Sequence, residues 1–408
     1  DDRLNPLEVT EEAFMDMVMK KPVSIAKALY SSFTGLSPLL ASEICHRSSI
    51  DGDMPVDSLD DDGKKHLFNN LTWIADDVKN HTYRPNIIFR GKEPIDFSCI
   101  ELTQFSDYEA KNFDSISQVL EEYYASRNVY TRIRQKSVDL RKIVSTALDR
   151  NRKKYQLQEK QLKDTEKRDK YKVYGELIHT YGYGLEEGAK KLEALNYYTN
   201  EMITIPLDSQ LDAKGNAQKY FDRYNKLKRT YEALTKLTEE TKTEIEHLES
   251  ISTALDIALT EDDLVQIKEE LIEFGYIKRK KTDKKARIKS KPFHYRSSDG
   301  YDIYVGKNNY QNDELTFKFA TGNDWWFHAK GMPGSHVIVK SNNEELPDRV
   351  FEEAGMLAGY YSKGREDEKV EIDYLQKKNV KKPNGAAPGF VVYYTNYSLT
   401  IHPDISGL

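Results

Sequence analysis

Apolar positions in the middle of the chain recur at intervals of three and four. Tyr130, Ile133, Ser137, Leu140, Val144 and Leu148 form one stripe; Leu227, Tyr231, Leu234, Leu237, Thr241, Ile245, Leu248, Ile251 and Leu255 form another. Residues three and four apart share a helix face, so each stripe predicts a long amphipathic helix with one apolar seam. Two seams of similar length predict antiparallel partners in a coiled coil. At about 1.5 Å per residue, an arm of about 45 residues extends on the order of 65 Å. Ser137 and Thr241 interrupt the seams and predict a bendable coiled coil rather than a rigid rod.

Between the stripes the helical period fails. Gly175, Tyr181-Gly182-Tyr183-Gly184, Asn196-Tyr197-Tyr198 and Ile203-Thr204-Ile205-Pro206-Leu207-Asp208 predict a small tip module over 171–212 with a hairpin-like strand pair. Its tyrosines either fill a small core or stack on an RNA base or a protein loop. Near the start, 11–20 reads as a short amphipathic helix, Ser24 caps a helix over 25–33, Gly35 supplies a turn, and Pro38 opens a helix to about Arg47. Such a helix-hairpin-helix offers backbone N–H groups to a phosphate. A lone glycine and acidic surroundings leave a purely structural hairpin equally open. A helix over 59–80 is expected to place Trp73 in a core, and 83–97 reads as short strands interrupted by Gly91 and Pro94.

After about residue 292 the pattern becomes α+β. Strands are expected at 303–305, 315–319, 336–339, 370–374, 390–394 and 399–402, with a helix over 347–362. The chain thus reads as multidomain and mainly α with an α+β end. Its expected parts are a helix-hairpin-helix region (1–58), a helix with short strands (59–113), a long antiparallel coiled coil with its tip module (114–277), a basic linker (278–291) and a C-terminal domain (292–408).

Composition agrees with elongated helices: the 408 residues are 38% hydrophobic and 31% charged, which supplies less core than an ordinary globular enzyme. Cys45 and Cys99 sit in apolar contexts without metal or disulfide spacing, so a cytoplasmic setting is expected, with anchorless cell-surface exposure as the variant. No stretch reaches the roughly 18 apolar residues of a membrane span. The start, Asp1-Asp2-Arg3, does not read as a signal peptide, and targeting stays open.

The net charge of −6 hides a division. Residues 1–126 carry 12 Lys/Arg against 23 Asp/Glu, a net of −11, whereas 127–172 carry 16 against 6, a net of +10. Residues 278–291 hold nine positive side chains against Asp283 alone. Such density predicts salt-sensitive attraction to phosphate backbones; without a large apolar face, a membrane is not expected as partner. A solvated helix face and a flexible linker are the plain alternative.

Two of three tryptophans adjoin in Asp324-Trp325-Trp326-Phe327-His328, followed by Pro333-Gly334-Ser335-His336. Lys307, Trp325 and Trp326 suggest a stacking and phosphate-contact face beside Asn308, with one of the two tryptophans as plain core the bland alternative. His328 and His336 are expected to organise the loop around Ser335. A nucleophilic serine needs a base oriented by a carboxylate, yet no elbow pattern surrounds Ser335 and the histidine spacing suits a metal poorly. With no nucleotide-binding loop, paired-carboxylate site or metal cluster, no catalytic residue, metal or cofactor is assigned, and the chain reads as a binder. The candidate RNA contacts are Arg150, Arg152, Lys153 and Lys154 on the first arm, Lys280 and Lys281 in the linker, Lys307, Asn308, Trp325, Trp326, His328, Ser335 and His336, and Lys381 and Lys382 in a basic loop.

Ile303-Tyr304-Val305-Gly306-Lys307-Asn308, Gln311-Asn312-Asp313, Trp326-Phe327-His328 and Pro333-Gly334-Ser335-His336 stand in the order and spacing of the C-terminal, RNA-binding (NFACT-R) domain of the NFACT family. The resemblance continues upstream. Asn216-Ala217-Gln218-Lys219-Tyr220-Phe221-Asp222-Arg223-Tyr224-Asn225-Lys226 is similar to the opening of that family's second coiled-coil arm, and Thr34-Gly35-Leu36-Ser37-Pro38 stands where its helix-hairpin-helix would be. The resemblance implies a further domain ahead of residue 1, against which 59–113 would pack. It also implies a ribosome-associated quality-control factor that binds obstructed large subunits, through rRNA and a stalk-base protein, together with tRNA and the nascent-chain peptidyl-tRNA. Such a factor supports C-terminal alanine tailing while the ribosome performs the chemistry. The alternative implied is a fibronectin-binding adhesin of a Gram-positive bacterium.

Overall fold

A computed structural model describes residues 2–408; Asp1 lies outside the described residues. Helix starts are set by side-chain caps where the sequence places Thr, Ser and Asp. Thr10 caps α1 (Glu11–Ala13), which passes into a π turn over Phe14–Val18. Ser24 accepts from Lys27 N to open α2 (Ile25–Ser32), and Ser37 accepts from Leu40 N to open α3 (Pro38–Arg47). Between them Gly35 adopts φ +78°, the left-handed conformation that makes the hairpin possible. Asp60 caps α4 (Asp61–Lys79), and Phe14, Ile25, Leu29, Phe33, Ile44, Leu67 and Leu71 close a dry core. Trp73 is not in it. The buried stripe of α4 runs through Leu67, Leu71 and Ile74, and Trp73 falls off that stripe with 59% of its surface exposed.

β1 (Asn86–Arg90), β2 (Glu93–Ser98) and β3 (Glu109–Asn112) form an antiparallel sheet in the order β2-β1-β3. Its hairpin turn touches the far end of the chain. Gly91 has φ +62°, and a Cβ there would lie 1.8 Å from the Tyr360 hydroxyl oxygen, which itself donates to Arg90 O at 3.3 Å. Glycine at this position lets the hairpin dock.

The expected arms are α5 (Ile116–Asp164) and α7 (Ala213–Ile257), of 49 and 45 residues, packed along each other. Ile133, Leu140, Val144 and Leu148 of one seam meet Leu248, Ile251 and Leu255 of the other. Ser137 and Thr241 are buried but do not break either helix, because each hydroxyl donates to its own backbone, at Arg134 O and Leu237 O. Leu237, expected in the seam, is exposed. α8 (Glu261–Glu273) folds back against the arm base through Leu264, Ile267 and Leu271.

At the arm's end, α6 (Arg168–Tyr181), β4 (Lys191–Asn196) and β5 (Glu201–Pro206) enclose Leu177, Ile178, Leu192, Ala194 and Ile205. Gly175 lies inside α6 rather than ending it: Phe221 occupies the space where a side chain would be, and a Cβ would stand 2.8 Å from that ring. Gly175→Ala is expected to destabilise the tip by about 1–3 kcal/mol through overpacking, read as a lower midpoint in thermal melts of the tip's far-UV signal. Tyr171, Tyr174 and Tyr220 pack on one another, whereas Tyr183, Tyr197 and Tyr198 stay exposed.

The C-terminal part comprises β6 (Phe293–Arg296), β7 (Asp302–Val305), α9 (Asn309–Glu314), β8 (Trp325–Ala329), β9 (Val337–Val339), α10 (Asp348–Tyr360), β10 (Val370–Gln376) and β11 (Tyr397–Ile401). The strands form one antiparallel sheet, order β11-β10-β8-β9-β7-β6. Three expectations change. Residues 315–319 are a π turn continuing α9, with Leu315 and Thr316 buried. Residues 390–394 contribute only an isolated bridge, Lys381 to Val392. The central strand β8 lies in the tryptophan phrase itself, where a stacking and phosphate-contact face was expected.

Candidate nucleic-acid interface

The run Gly306-Lys307-Asn308-Asn309-Tyr310-Gln311-Asn312 is a clasp between the C-terminal domain and the arm base. Lys307 Nζ lies 3.1 Å from Asp263 Oδ1, with both side chains largely buried. Asn308 Nδ2 donates to Gln266 Oε1 at 2.8 Å, Gln311 Nε2 donates to the same oxygen and to Ser290 Oγ, both at 2.9 Å, and Asn309 Nδ2 donates to Ser250 Oγ and Glu270 Oε2. Asp263 is also the reciprocal cap of α8, accepting from the Leu259 and Thr260 amides. Burial works to raise its carboxyl pKa; hydrogen bonds from Ser290 and Leu259 and the Lys307 ammonium overcome that and hold it below the usual carboxylate range. Lys307 and Asn308, taken as RNA contacts from the sequence, are corrected: their polar atoms are spent inside the protein. The acidic and amide residues of α8 held no signal of this, since the partners stand some 40 positions apart in the chain.

The aromatic phrase is likewise turned inward. Trp326 is fully buried beneath the sheet, and Trp325 is half-buried against Phe351, Tyr374 and Tyr397 on the opposite face. Alternation along β8 sends the two neighbours to opposite sides, so they cannot share one exposed stacking face. Ser335 is buried, and its hydroxyl has no hydrogen-bond partner among the described residues. His336 Nδ1 pairs with Thr316 Oγ1 at 2.7 Å, and Asp324 serves Lys340, Thr321 and Ser341. No Ser-His-Asp relay is assembled there. Burial keeps Trp326, Ser335 and His336 off the exposed RNA-contact face expected of them.

Burial lowers the pKa of His328 and lowers that of His336 further, with the neighbouring His328 adding to the latter. Both are held neutral, so the unfolded chain binds more protons once pH falls below the ordinary value of 6.5. Stability is complete above that pH and declines as pH drops through it from 7 toward 5. Urea midpoints across this range check the slope, which His336→Gln is expected to reduce.

The basic groups fare differently. Arg150, Lys153 and Lys154 are exposed on α5, and Lys280 and Lys281 are exposed in the linker; none of these five forms an ion pair among the described residues. Arg152 reaches Glu249 at 3.1 Å across the arm with half its side chain still exposed. Lys381 is exposed, and Lys382 contacts Asp313 at 2.7 Å. The structure therefore presents positive charge along the arm and at the neck of the C-terminal domain.

Residues 1–290 match the NFACT N-terminal and middle domains, and residues 291–394 match the NFACT protein RNA binding domain. The chain belongs to the NFACT family. Among NFACT relatives, the Rqc2 homolog RqcH of Bacillus subtilis (strain 168) is 34% identical over 411 residues, covering 99% of this chain and 69% of the relative. The Rqc2 homolog RqcH of Streptococcus suis (strain 05ZYH33) is 36% identical over 402 residues, covering 98% and 67%. A solved structure of the C-terminal of the fibronectin/fibrinogen-binding protein from Streptococcus suis superposes with a TM-score of 0.54 at 39% identity, over 67% of this chain and 96% of that one. No helix of the described residues is long and apolar enough to cross a membrane, and no group of three or more His, Cys, Asp or Glu among them could hold a metal ion.

Proposed function

We propose that this NFACT chain acts in ribosome quality control, binding obstructed large ribosomal subunits and tRNA and supporting C-terminal alanine tailing of stalled nascent chains. The observation that carries the reading is the outward-facing charge: Arg150, Lys153, Lys154, Lys280 and Lys281 stand exposed without carboxylate partners among the described residues, as phosphate contacts require. Similarity to RqcH across nearly the whole chain supports it. The arm carries this charge outward, and its tip exposes Tyr183, Tyr197 and Tyr198 for a stalk-base protein or RNA. The domain divisions 1–58, 59–113, 114–277, 278–291 and 292–408 belong to this proposal, as does a cytoplasmic setting. Chemistry then belongs to the ribosome, and the protein positions its substrates. Fibronectin, named for one solved relative, is the less favoured partner, since nothing in the described geometry specifies a matrix ligand. Sedimentation with large subunits carrying peptidyl-tRNA tests the reading: co-migration at low salt that weakens as salt rises is expected, and failure to co-migrate at low salt overturns it.

A further inference from the structure

A cleft of about 390 Å³ lies between α7 and the loops beneath the C-terminal sheet, a size within the roughly 300–1,000 Å³ of small-ligand pockets. Its walls are unusually rich in rings: Trp326, His328, His336, Phe390 and Tyr393 all line it. Trp326 and His328, two residues apart on β8, lie parallel at 5.6 Å and 8°, and His336 and Tyr393 stand at steep angles to the indole at 5.1 and 5.2 Å. Among the described residues the fully buried Trp326 indole N–H has no hydrogen-bond partner, which a native core seldom tolerates. Gly331 and Gly389, with φ of +66° and +81°, are among its lining residues.

The charges at this cleft select what enters. Glu246 and Glu249 line it from α7, so a phosphate is repelled while an amino group or ring N–H is welcomed. The imidazoles of His328 and His336, held neutral by burial, do not repel a cationic edge, and His336 Nδ1 is already paired with Thr316. Positive charge flanks the opening. Arg152 pairs with Glu249, and Lys381 is bridged to Val392, between the lining residues Val391 and Tyr393. A flat, amino-bearing ring inside and a polyanionic backbone outside satisfy both conditions.

We propose that this cleft receives a single unpaired, amino-bearing nucleobase turned out of an RNA strand, while Arg152 and Lys381 hold the flanking phosphates. The inference rests on the RNA-binding reading and adds base recognition to backbone attraction. The test measures affinities of the full chain for short single-stranded RNAs by fluorescence anisotropy, with one nucleotide at a time made abasic or changed to uridine. Loss of the base at one position is expected to weaken binding about tenfold, with uracil intermediate. In Phe390→Ala the same base removal is expected to cost less than twofold, because the stacking wall is gone. Glu246→Gln, a change on an exposed helix face, is expected to erase the preference for amino-bearing bases over uracil. Base removal without effect at every position, or with equal effect in wild type and both variants, overturns the cleft while leaving RNA binding intact. RNA that fails to bind at any salt concentration overturns the underlying reading as well.

Discussion

Asp263→Ala is expected to release the C-terminal domain from the arm. Asp263 is the point where three demands converge: it caps α8, accepts from Ser290, and neutralises the Lys307 ammonium. Removing it leaves a largely buried lysine without its partner, and breaking a buried pair in this way costs about 3–5 kcal/mol, against about 1 kcal/mol for an exposed cap. The loss acts on the clasp rather than on either core. Its readout is therefore local opening: trypsin cuts the lysine-rich linker 278–291 many-fold faster in the variant than in wild type while both cores keep their far-UV signal. A double change, Asp263→Leu with Lys307→Met, removes both charges and is expected to recover much of the protection, because an apolar pair of similar size replaces a buried ion pair at small cost. Unchanged cleavage in Asp263→Ala would show that the domain is held by its apolar contacts alone.

That clasp marks the limit of what the chain discloses one residue at a time. The seams of α5 and α7 were legible because a helix repeats its buried face within a few residues, so Ile133, Leu140 and Val144 announce their own neighbours. The cap Ser24 was legible for the same reason: it satisfies an amide three residues away. Lys307 and Asn308 follow no such rule. A lysine beside asparagines looks the same whether it faces a phosphate or an aspartate 44 positions upstream, and only the fold decides. The tryptophan phrase misled differently. Trp325 and Trp326 are costly residues, which reads as function, yet a central strand buried on both faces uses large side chains on alternate sides. The exposed stacking face expected of them does not form, because alternation turns one to each side of the sheet.

The exposed cations make the sharpest separation between the competing roles of the arm. Replacing Arg150, Arg152, Lys153 and Lys154 together with glutamine leaves the seam untouched, since all four are exposed and only Arg152 has an ion-pair partner, Glu249. A pair that exposed contributes at most about 1 kcal/mol to folding, so the arm stays helical. RNA affinity is expected to fall by about two to three orders of magnitude near physiological salt, because each lost phosphate contact also forgoes the release of a counterion. The decisive quantity is the slope of log affinity against log salt, which is expected to flatten by about one per contacting residue. An arm that only spaces the tip from the body predicts a different result: the same slope, the same affinity and intact helices. If the four substitutions weaken sedimentation with large subunits but leave the slope unchanged, the contact is made to protein rather than to phosphate, and the arm's charge serves a stalk-base partner instead of RNA.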